Sequence, residues 1–467
     1  MTGAPPSDLL DPARPAVVMG LGVTGRAVAR ALARRGHVVA LADDAPGPEA
    51  RALASELDAP LAAAPDGATL AALLAGAAAL VPAPGLPEAH PAFAAAAAAG
   101  VPVVGELDLA AAWDPRPAVA ITGTDGKTTV TTLVTAMLRA SGVAAVEAGN
   151  TEVPLVEAID DPGPEVFVVE ASSFRLAPLR RFAPVAGCWL NFSPDHQDVH
   201  TSLDRYEAAK ANLWRGFGPG QLAVANRDDP VVVAHAAGLP RVETFGLGPP
   251  PAGTGHWWVD GDSLRTPEGE VLARRDELHR DLPHDRANAL AAAATARAAG
   301  ATLAGAADAL RAFTGLAHRV QLVGVGDGVA WYDDSKATAP HATLAAVAGF
   351  ASVVLLAGGR NKGLDLGDLA GAAGHVRAVV AMGEAADEVA AAFAGLRPVA
   401  RADDMDAAVA AARDLARPGD AVVLSPACAS FDRYRGYAER GDDFARAVAA
   451  LGVPAPSPAP PARETTP

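Results

Sequence analysis

Short runs of apolar residues alternate along this chain with amphipathic or alanine-rich segments. Residues 16–19 form an apolar run that predicts a buried strand, followed by a glycine-rich turn and an amphipathic stretch to about Arg35. A second strand is predicted at 37–41, so the chain opens as a βαβ unit. The same order of strand, turn and helix recurs from about residues 118 and 316. Three such blocks predict an α/β protein with parallel sheets.

Proline-rich segments separate these blocks. The chain has 467 residues, which exceeds the size of a single domain. The stretch Trp113-Asp114-Pro115-Arg116-Pro117 is typical of a linker, and the third block starts near Leu316. We therefore expect three domains, over residues 1–113, 114–315 and 316–453. Residues 454–467 are rich in proline and are predicted to be a disordered tail.

Composition narrows the functional classes. A net charge of −16 argues against general binding to nucleic acid or to an anionic membrane. Two cysteines, Cys188 and Cys428, cannot form a disulfide framework or a cysteine zinc site. No apolar run reaches the ~18–20 residues of a membrane-spanning helix, and no secretory signal opens the chain. We expect a cytoplasmic protein without membrane insertion, and a monomer as the default.

Lysine is rare in a chain that otherwise uses arginine for positive charge. Lysine and arginine together number 38, and only four are lysine: Lys127, Lys210, Lys336 and Lys362. A solvated surface charge can be of either type, whereas a compact ammonium, or an amine that loses its proton, has to be lysine. The four lysines are therefore candidate functional residues.

The first glycine motif, Gly20-x-Gly22-x-x-Gly25, follows a predicted strand and opens a predicted helix. Glycines in such a turn let a phosphate approach the backbone at the positive end of the helix dipole. Asp43 lies eighteen residues after Gly25, as in the dinucleotide fingerprint. From these residues alone, NAD(P) binding, binding of another nucleotide and a tight packing turn all stay open.

The second glycine motif is a shortened phosphate loop between a predicted strand and a predicted helix. It reads Gly123-Thr124-Asp125-Gly126-Lys127-Thr128-Thr129, and Ile121 stands where the general pattern has glycine. Its amides can cradle phosphates, Lys127 adds a point charge and the Thr128 hydroxyl can ligate Mg²⁺. The motif therefore predicts binding of ATP with Mg²⁺. The alternative is a chance Gly-Lys-Thr turn, which the position between a strand and a helix makes the less favoured interpretation.

This heptapeptide resembles the phosphate loop of the Mur ligases, the ATP-dependent amide-forming enzymes of peptidoglycan precursor synthesis, and of the related folylpolyglutamate synthases. The resemblance covers nearly the whole chain. Further motifs of the family lie at residues 148–150, 169–174, 191–196, 206–210, 284–288 and 313–319. Residues 333–338, 424–432 and 440–442 resemble the branch of the family that adds D-glutamate.

The resemblance implies an N-terminal Rossmann-like UDP-binding domain, a central P-loop-type ATPase domain and a C-terminal Rossmann-like domain. It implies that D-glutamate is joined to UDP-N-acetylmuramoyl-L-alanine through an acyl phosphate made with ATP and Mg²⁺. The loop from Gly20 to Gly25 then binds uridine diphosphate and not NAD(P).

The resemblance also implies roles residue by residue. The catalytic residues are Lys127, His196 and Lys210. The ATP residues are Gly123, Thr124, Asp125, Gly126, Lys127, Thr128, Thr129, Asn288, Arg319, Asp334 and Lys336. The UDP-substrate residues are Gly22, Val23, Thr24, Asp43, Gly85, Asn150 and Ser172. The D-glutamate residues are Thr338, Lys362, Ser430 and Tyr437. The metal ligands are Thr128, Glu170, His196 and Lys210, the last as a carbamate.

Some positions depart from the family's pattern. Asp125 and Asp285 stand where the family has Asn, which places a carboxylate near the expected phosphates. Ala83 replaces a serine on the nucleotide side, and Tyr437 occupies a position that is commonly Phe.

Three other functions compete with this interpretation. A ligase that adds glutamate to folate, or another amino acid to a muramoyl peptide, would share most of the motifs. An NAD(P) oxidoreductase would rest on the first glycine motif and Asp43. A non-catalytic scaffold would require a degenerate ATP site, whereas Lys127, Thr128 and Glu170 are all present.

Overall fold

The computed structural model describes residues 9–197, 199–249 and 255–455. The chain divides into two compact units, Met1–Arg275 with Ala287–Arg311 and Asp276–Arg286 with Ala312–Pro467. Most of the predicted tail, from residue 456 onward, lies outside the described residues, as does Asp198. No described helix has the length and apolar composition needed to cross a membrane. The boundaries of the three expected domains stay a prediction.

The first part of the larger unit is a parallel sheet with helices on both sides. Its strands are β1 (Ala16–Met19), β2 (Val39–Asp43), β3 (Leu61–Ala63) and β4 (Ala79–Pro82), in the order β3-β2-β1-β4. Its helices are α1 (Val23–Arg34), α2 (Pro48–Glu56), α3 (Gly67–Leu74), α4 (Pro91–Ala98) and α5 (Glu106–Trp113). The βαβ opening is confirmed, with the second strand two residues later than predicted.

The rest of the larger unit is built on a sheet with nine strands among the described residues, in the order β13-β12-β11-β10-β9-β8-β5-β7-β6. The strands are β5 (Ala118–Thr122), β6 (Ala145–Gly149), β7 (Val166–Glu170), β8 (Ala186–Trp189), β9 (Leu222–Asn226), β10 (Val242–Phe245), β11 (His256–Asp260), β12 (Ser263–Arg265) and β13 (Val271–Arg274). The helices are α6 (Lys127–Ala140), α7 (Leu155–Ala158), α8 (Ser173–Leu176), α9 (Leu203–Ala211), α10 (Pro230–Ala236), α11 (Pro283–Ala298) and α12 (Leu303–Ala312). The first residues of α11, up to Arg286, and the last residue of α12, Ala312, belong to the second unit.

The second unit contains a sheet of six described strands in the order β14-β15-β19-β16-β17-β18. The strands are β14 (Gln321–Gly326), β15 (Val329–Asp333), β16 (Val353–Gly358), β17 (Val376–Met382), β18 (Val399–Ala402) and β19 (Ala421–Leu424). The helices are α13 (Pro340–Val347), α14 (Ala386–Ala392), α15 (Met405–Leu415) and α16 (Tyr437–Ala450).

The sheets are mainly parallel, which confirms the predicted α/β class, and antiparallel strands occur at two sheet margins. Strands β11, β12 and β13 form an antiparallel meander, and β14 pairs antiparallel with β15. Asp327 and Gly328, which connect β14 to β15, both have positive φ, at 52° and 75°. A two-residue turn of this kind can only form a hairpin, because a parallel connection requires a long crossover.

The central strands of the second unit are buried on both faces. Alternate residues of β16 pack into two different clusters, with Val353 and Leu355 on one side and Val354 and Leu356 on the other. A sheet covered on both faces leaves room for polar side chains mainly beyond the strand ends. The loops that follow the carboxyl ends of parallel strands are therefore where this fold places chemistry.

A buried ion pair in the larger unit joins helix α5 to helix α8, which lie in the parts built on the four-stranded and the nine-stranded sheet. The Arg175 guanidinium in α8 donates to Glu106 Oε2 at 2.5 Å and to the Thr24 hydroxyl at 2.9 Å. Glu106 begins α5, and its other oxygen accepts the Val156 amide at 3.0 Å. Both charged side chains are nearly inaccessible, with 5% and 2% of their surfaces exposed.

We expect Arg175→Met to lower the free energy of unfolding by about 3–5 kcal/mol, because it leaves the Glu106 carboxylate buried without its cation. Thermal and urea unfolding measure the loss. Arg30→Met is the matched control, since the Arg30–Glu56 pair is 40% and 48% exposed. An exposed pair contributes about 0–1 kcal/mol. Equal losses in the two variants would contradict the importance of the buried pair.

Candidate active site

The predicted phosphate loop connects β5 to the start of α6. Gly126 precedes the helix with φ +82°, a left-handed conformation that favours glycine. A Cβ added at Gly126 would lie 2.8 Å from Asn288 Oδ1, so the loop and the Asn288 side chain are packed together. Two of the predicted ATP elements, distant in sequence, are therefore adjacent in one unit.

Asn191 holds this loop in place. Its side-chain oxygen accepts the amides of Thr124 at 2.9 Å and Asp125 at 2.8 Å. Asn191 follows β8, which runs parallel to β5, so both strands end at the same edge. Asn191 lies within one of the family motifs in the sequence, but no role was predicted for it. The feature of the sequence that could have indicated this role is an amide side chain directly after a predicted strand, since β8 is the neighbour of β5, the strand that precedes the phosphate loop.

Glu170 is a buried carboxylate at that same edge. It ends β7 and pairs in register with Ile121 of β5. Glu170 Oε1 accepts a hydrogen bond from the side-chain amide of Asn150, Nδ2, at 2.8 Å. Glu170 Oε2 is buried and has no hydrogen-bond partner among the described residues. An unpaired buried carboxylate oxygen fits a cation ligand, because Mg²⁺ prefers hard oxygen donors.

Lys210 lies beneath the phosphate loop and is 1% exposed. Its Nζ donates to the Gly123 carbonyl at 2.6 Å and lies 4.7 Å from the centre of the Tyr206 ring. Lys127 Nζ donates to the same carbonyl at 3.0 Å. Burial first, and the charge of Lys127 second, hold the pKa of Lys210 well below 10.5. The amine of Lys210 is therefore predisposed to be neutral.

His196 belongs to the aromatic cluster around Lys210. Its ring meets Phe174 edge-on at 4.8 Å and Tyr206 at 5.8 Å between centroids. The residue has φ +54°, in the left-handed region. Tyr206 and Lys210 are both on α9, so His196 and Lys210 share this part of the unit.

The predicted metal ligands are only partly brought together. Among the described residues, no three His, Cys, Asp or Glu side chains are grouped closely enough to hold a metal ion. Thr128 lies in the first turn of α6, after the loop that Lys210 contacts. The set of Thr128, Glu170, His196 and carbamylated Lys210 stays a prediction.

The first glycine loop is a tight turn closed by Asp43. A Cβ on Gly25 would lie 1.8 Å from the Gly20 carbonyl oxygen, so no side chain fits there. Asp43 Oδ2 accepts the Leu21 amide at 2.6 Å, and Oδ1 accepts the Ala45 amide at 2.9 Å. Gly22 has open space where a Cβ would be, and Val23 is 59% exposed.

Other predicted UDP-substrate residues already have partners within the chain. Ser172 caps α8 by accepting the Arg175 amide at 3.4 Å, and Thr24 accepts from the same arginine's guanidinium. Asn150 is bound to Glu170. Gly85, with φ +88°, lines a cavity of about 500 Å³.

The remaining predicted ATP residues lie in the second unit. Asp334 is buried, and its two oxygens accept from the Ser425 hydroxyl at 2.7 Å and the Val320 amide at 3.2 Å. Burial raises the pKa of Asp334 to about 7. Lys336 Nζ lies 3.8 Å from the centre of the Tyr437 ring. The Arg319 carbonyl accepts from Arg280 at 2.6 Å.

The predicted D-glutamate residues follow strands of the six-stranded sheet. Thr338 follows β15, Lys362 follows β16, Ser430 follows β19 and Tyr437 opens α16. A backbone bridge between Arg360 and Ala429, at 2.8 Å, joins the loop of Lys362 to that of Ser430. Lys362 is exposed, whereas Ser430 is buried.

Asp285, one of the departures from the family's pattern, has a cationic partner. Arg280 Nε and Nη2 donate to its two oxygens at 2.6 and 2.5 Å. The guanidinium fork matches the carboxylate, so the replacement of an amide by a carboxylate is compensated within the same unit.

Three family models match the chain. Residues 14–105 match the Mur ligase MurD-like N-terminal domain, residues 121–296 the Mur ligase middle domain, and residues 318–428 the Mur ligase glutamate ligase domain.

Similar proteins cover nearly the whole chain. UDP-N-acetylmuramoylalanine--D-glutamate ligase of Frankia casuarinae is 46% identical over 93% of this chain and 94% of its own length. The enzyme of the same name from Nitrosococcus oceani is 40% identical, over 92% and 96%. Among solved structures, MurF of Acinetobacter baumannii aligns with TM-score 0.59 at 17% identity, over 87% and 90%. That likeness supports the fold alone.

The buried amine predicts a pH dependence of stability. Because the folded-state pKa of Lys210 is below 10.5, the unfolded chain binds more protons between that lowered pKa and 10.5. The free energy of unfolding therefore increases with pH over this range, by up to about 1.4 kcal/mol per pH unit, and decreases as the pH is lowered. We expect urea unfolding from pH 7.5 to 9.5, in metal-free and CO₂-free buffer, to have a less positive slope in Lys210→Met than in the wild type. Lys362→Met removes an exposed lysine and should keep the wild-type slope; identical slopes in all three proteins would be the contrary result.

Proposed function

This chain belongs to the Mur ligase family, and we propose that it is an ATP-dependent ligase that adds D-glutamate to UDP-N-acetylmuramoyl-L-alanine in peptidoglycan precursor synthesis. The observation that carries the proposal is the phosphate loop at a sheet edge beside the buried Glu170 and Lys210. The choice of D-glutamate is supported by the names of relatives up to 46% identical over almost the full chain.

The reaction requires activation, because joining a carboxylate to an amine in water is uphill. The carboxylate of the muramoyl-alanine substrate attacks the γ-phosphorus of ATP, which gives an acyl phosphate and ADP. The amine of D-glutamate then attacks the acyl carbon, forms the C–N bond and expels phosphate, with loss of a proton. Both ionic substrates of the first step are negatively charged, so their approach requires preorganised positive charge and N–H donors.

The residues around the phosphate loop suit that task. Asn191 fixes the amides of Thr124 and Asp125, so hydrogen bonds within the chain support the conformation of the loop. Lys127 donates to two loop carbonyls, at 2.9 and 3.0 Å, and can redirect its charge to a phosphate. We propose that Thr128, Glu170, His196 and a carbamate on Lys210 hold Mg²⁺, which would neutralise the phosphates. The unpaired Glu170 oxygen supports this assignment.

We assign the remaining substrates by the loops that follow strands. Gly22, Val23, Thr24, Asp43 and Gly85, with Asn150 and Ser172, would receive the UDP substrate. Asn288, Arg319, Asp334 and Lys336 would complete the ATP site. Thr338, Lys362, Ser430 and Tyr437 would receive D-glutamate, whose two carboxylates need a cation and neutral donors. We further propose that the protein acts in the cytoplasm, as a monomer.

An acceptor panel tests the proposed function. Purified wild-type protein with ATP, Mg²⁺ and UDP-N-acetylmuramoyl-L-alanine should release phosphate with D-glutamate and at least tenfold more slowly with L-glutamate or other amino acids. Omitting the UDP substrate should abolish the release. Turnover with a folate acceptor, or quenching of tryptophan fluorescence by NADH but not by the UDP substrate, would point to the competing functions.

A carbamate on Lys210 gives a second prediction. Lys210→Ala and Lys210→Arg should both be nearly inactive, because neither side chain can bind CO₂ to become an anionic oxygen ligand. Short carboxylic acids should partly restore the alanine variant, and removing CO₂ should slow the wild type. Arg241→Ala, which removes an exposed cation elsewhere in the same unit, should keep full activity. Near-normal turnover of Lys210→Arg would rule out the carbamate, since a guanidinium keeps only the charge.

A further inference from the structure

Arg440 is a buried arginine in α16 that the proposed mechanism does not use. It is 1% exposed, and it makes three hydrogen bonds within the second unit. Nε donates to the Ser335 hydroxyl at 2.9 Å, and Nη2 donates to the carbonyls of Ser335 at 2.8 Å and Cys428 at 3.0 Å. One guanidinium therefore ties α16 to the loops that follow β15 and β19.

The three points that Arg440 ties together are next to predicted substrate residues. Ser335 directly precedes Lys336, and Cys428 lies two residues before Ser430. The Ser335 hydroxyl, which accepts from Arg440, donates in turn to the Tyr437 carbonyl at 2.8 Å. This relay fixes the first turn of α16 against the loop that carries Lys336, whose ammonium lies over the Tyr437 ring at 3.8 Å.

The surroundings leave room for the guanidinium and for little else. A Cβ on Gly359 would lie 3.0 Å from Arg440 Nη1 and 2.4 Å from the Ala429 carbonyl oxygen. A Cβ on Gly441 would lie 2.3 Å from the His318 ring. Burial lowers the pKa of Arg440 to about 10, so the side chain is still a cation at neutral pH. A lysine there cannot reach the three acceptors with a planar fork.

We propose that Arg440 is a positioning residue that fixes Ser430 and Tyr437 relative to the Lys336 loop and thereby sets the affinity for the acidic amino-acid substrate. The inference rests on the proposed function for the identity of that substrate. Nε and Nη2 of Arg440 are engaged by Ser335 and Cys428, and Nη1 is buried without a partner among the described residues. We therefore expect Arg440 to act on the two loops through Ser335 and Cys428.

Steady-state kinetics of Arg440→Lys test the proposal. We expect the KM for D-glutamate to rise roughly ten- to hundredfold, because small misplacements of substrate-positioning groups have effects of that size. The KM for UDP-N-acetylmuramoyl-L-alanine should change less than about threefold. Arg377→Lys is the matched control, because Arg377 also donates to a partner in the same unit, Asp420, at 2.5 and 3.1 Å. Replacing the Arg377 guanidinium should leave the KM for D-glutamate unchanged.

Ser335→Ala provides a second route, since it removes the relay and keeps the arginine. Ser335→Ala should also raise the KM for D-glutamate. In the double variant, the fold increase in this KM should be smaller than the product of the two single increases, because both changes act on the same contacts. A wild-type KM for D-glutamate in Arg440→Lys, or equal rises in both KM values, would overturn the proposal.

Hydrogen exchange separates this inference from the proposed function. Amides of residues 334–338 and 429–437 should exchange faster in Arg440→Lys than in Arg377→Lys. If the wild type had no D-glutamate ligase activity, the proposed function would fail while this exchange difference still tested the anchoring. Unchanged exchange in both segments would show that Arg440 does not hold the loops.

Discussion

Two lysine side chains donate to one carbonyl oxygen, that of Gly123, and the candidate site depends on this arrangement. Lys127 approaches it at 3.0 Å from the start of α6, and Lys210 at 2.6 Å from α9. Two ammonium groups so close together, one of them fully buried, would repel each other strongly in a poorly solvated site. The conflict is relieved if Lys210 is neutral, and a neutral amine is available for chemistry that a charged one cannot do.

Buried polar groups are arranged differently at other places in the chain. Arg175 and Glu106 form a buried ion pair inside the larger unit. Arg440 keeps its charge through three backbone and hydroxyl acceptors. Glu170 has one oxygen bound and the other without a partner among the described residues. Both arginines also have one buried nitrogen without a partner among the described residues, Arg175 Nε and Arg440 Nη1. The unpaired Glu170 oxygen differs from these because it is an acceptor, at which a cation would be stabilised.

Sequence patterns predicted the α/β class, the opening βαβ unit and the phosphate loop before a helix, because short apolar runs bounded by glycine and proline are strong local signals. The hairpin at Asp327 and Gly328 was missed, although an Asp-Gly pair between apolar segments is a recognised turn signal. The partners of Asn191, Asp285 and Arg440 could not be predicted from spacing. Asn191 and Arg440 contact residues about 66 and 105 positions away, and the ion pair of Asp285 with Arg280 depends on how that segment folds back.

The amino-acid sequence by itself determined which chemical groups are available: a lysine-poor chain with four lysines in or near motifs, a glycine loop before a helix, and polar residues after apolar strands. Those features are local, and backbone sterics and hydrophobic periodicity suffice to place them on strands, turns and helices. Only the tertiary structure decided which of these groups are buried, which oxygen lacks a partner, and that Lys210 shares its acceptor with Lys127. Burial and charge proximity are properties of the packed chain, because they depend on side chains that come from different elements.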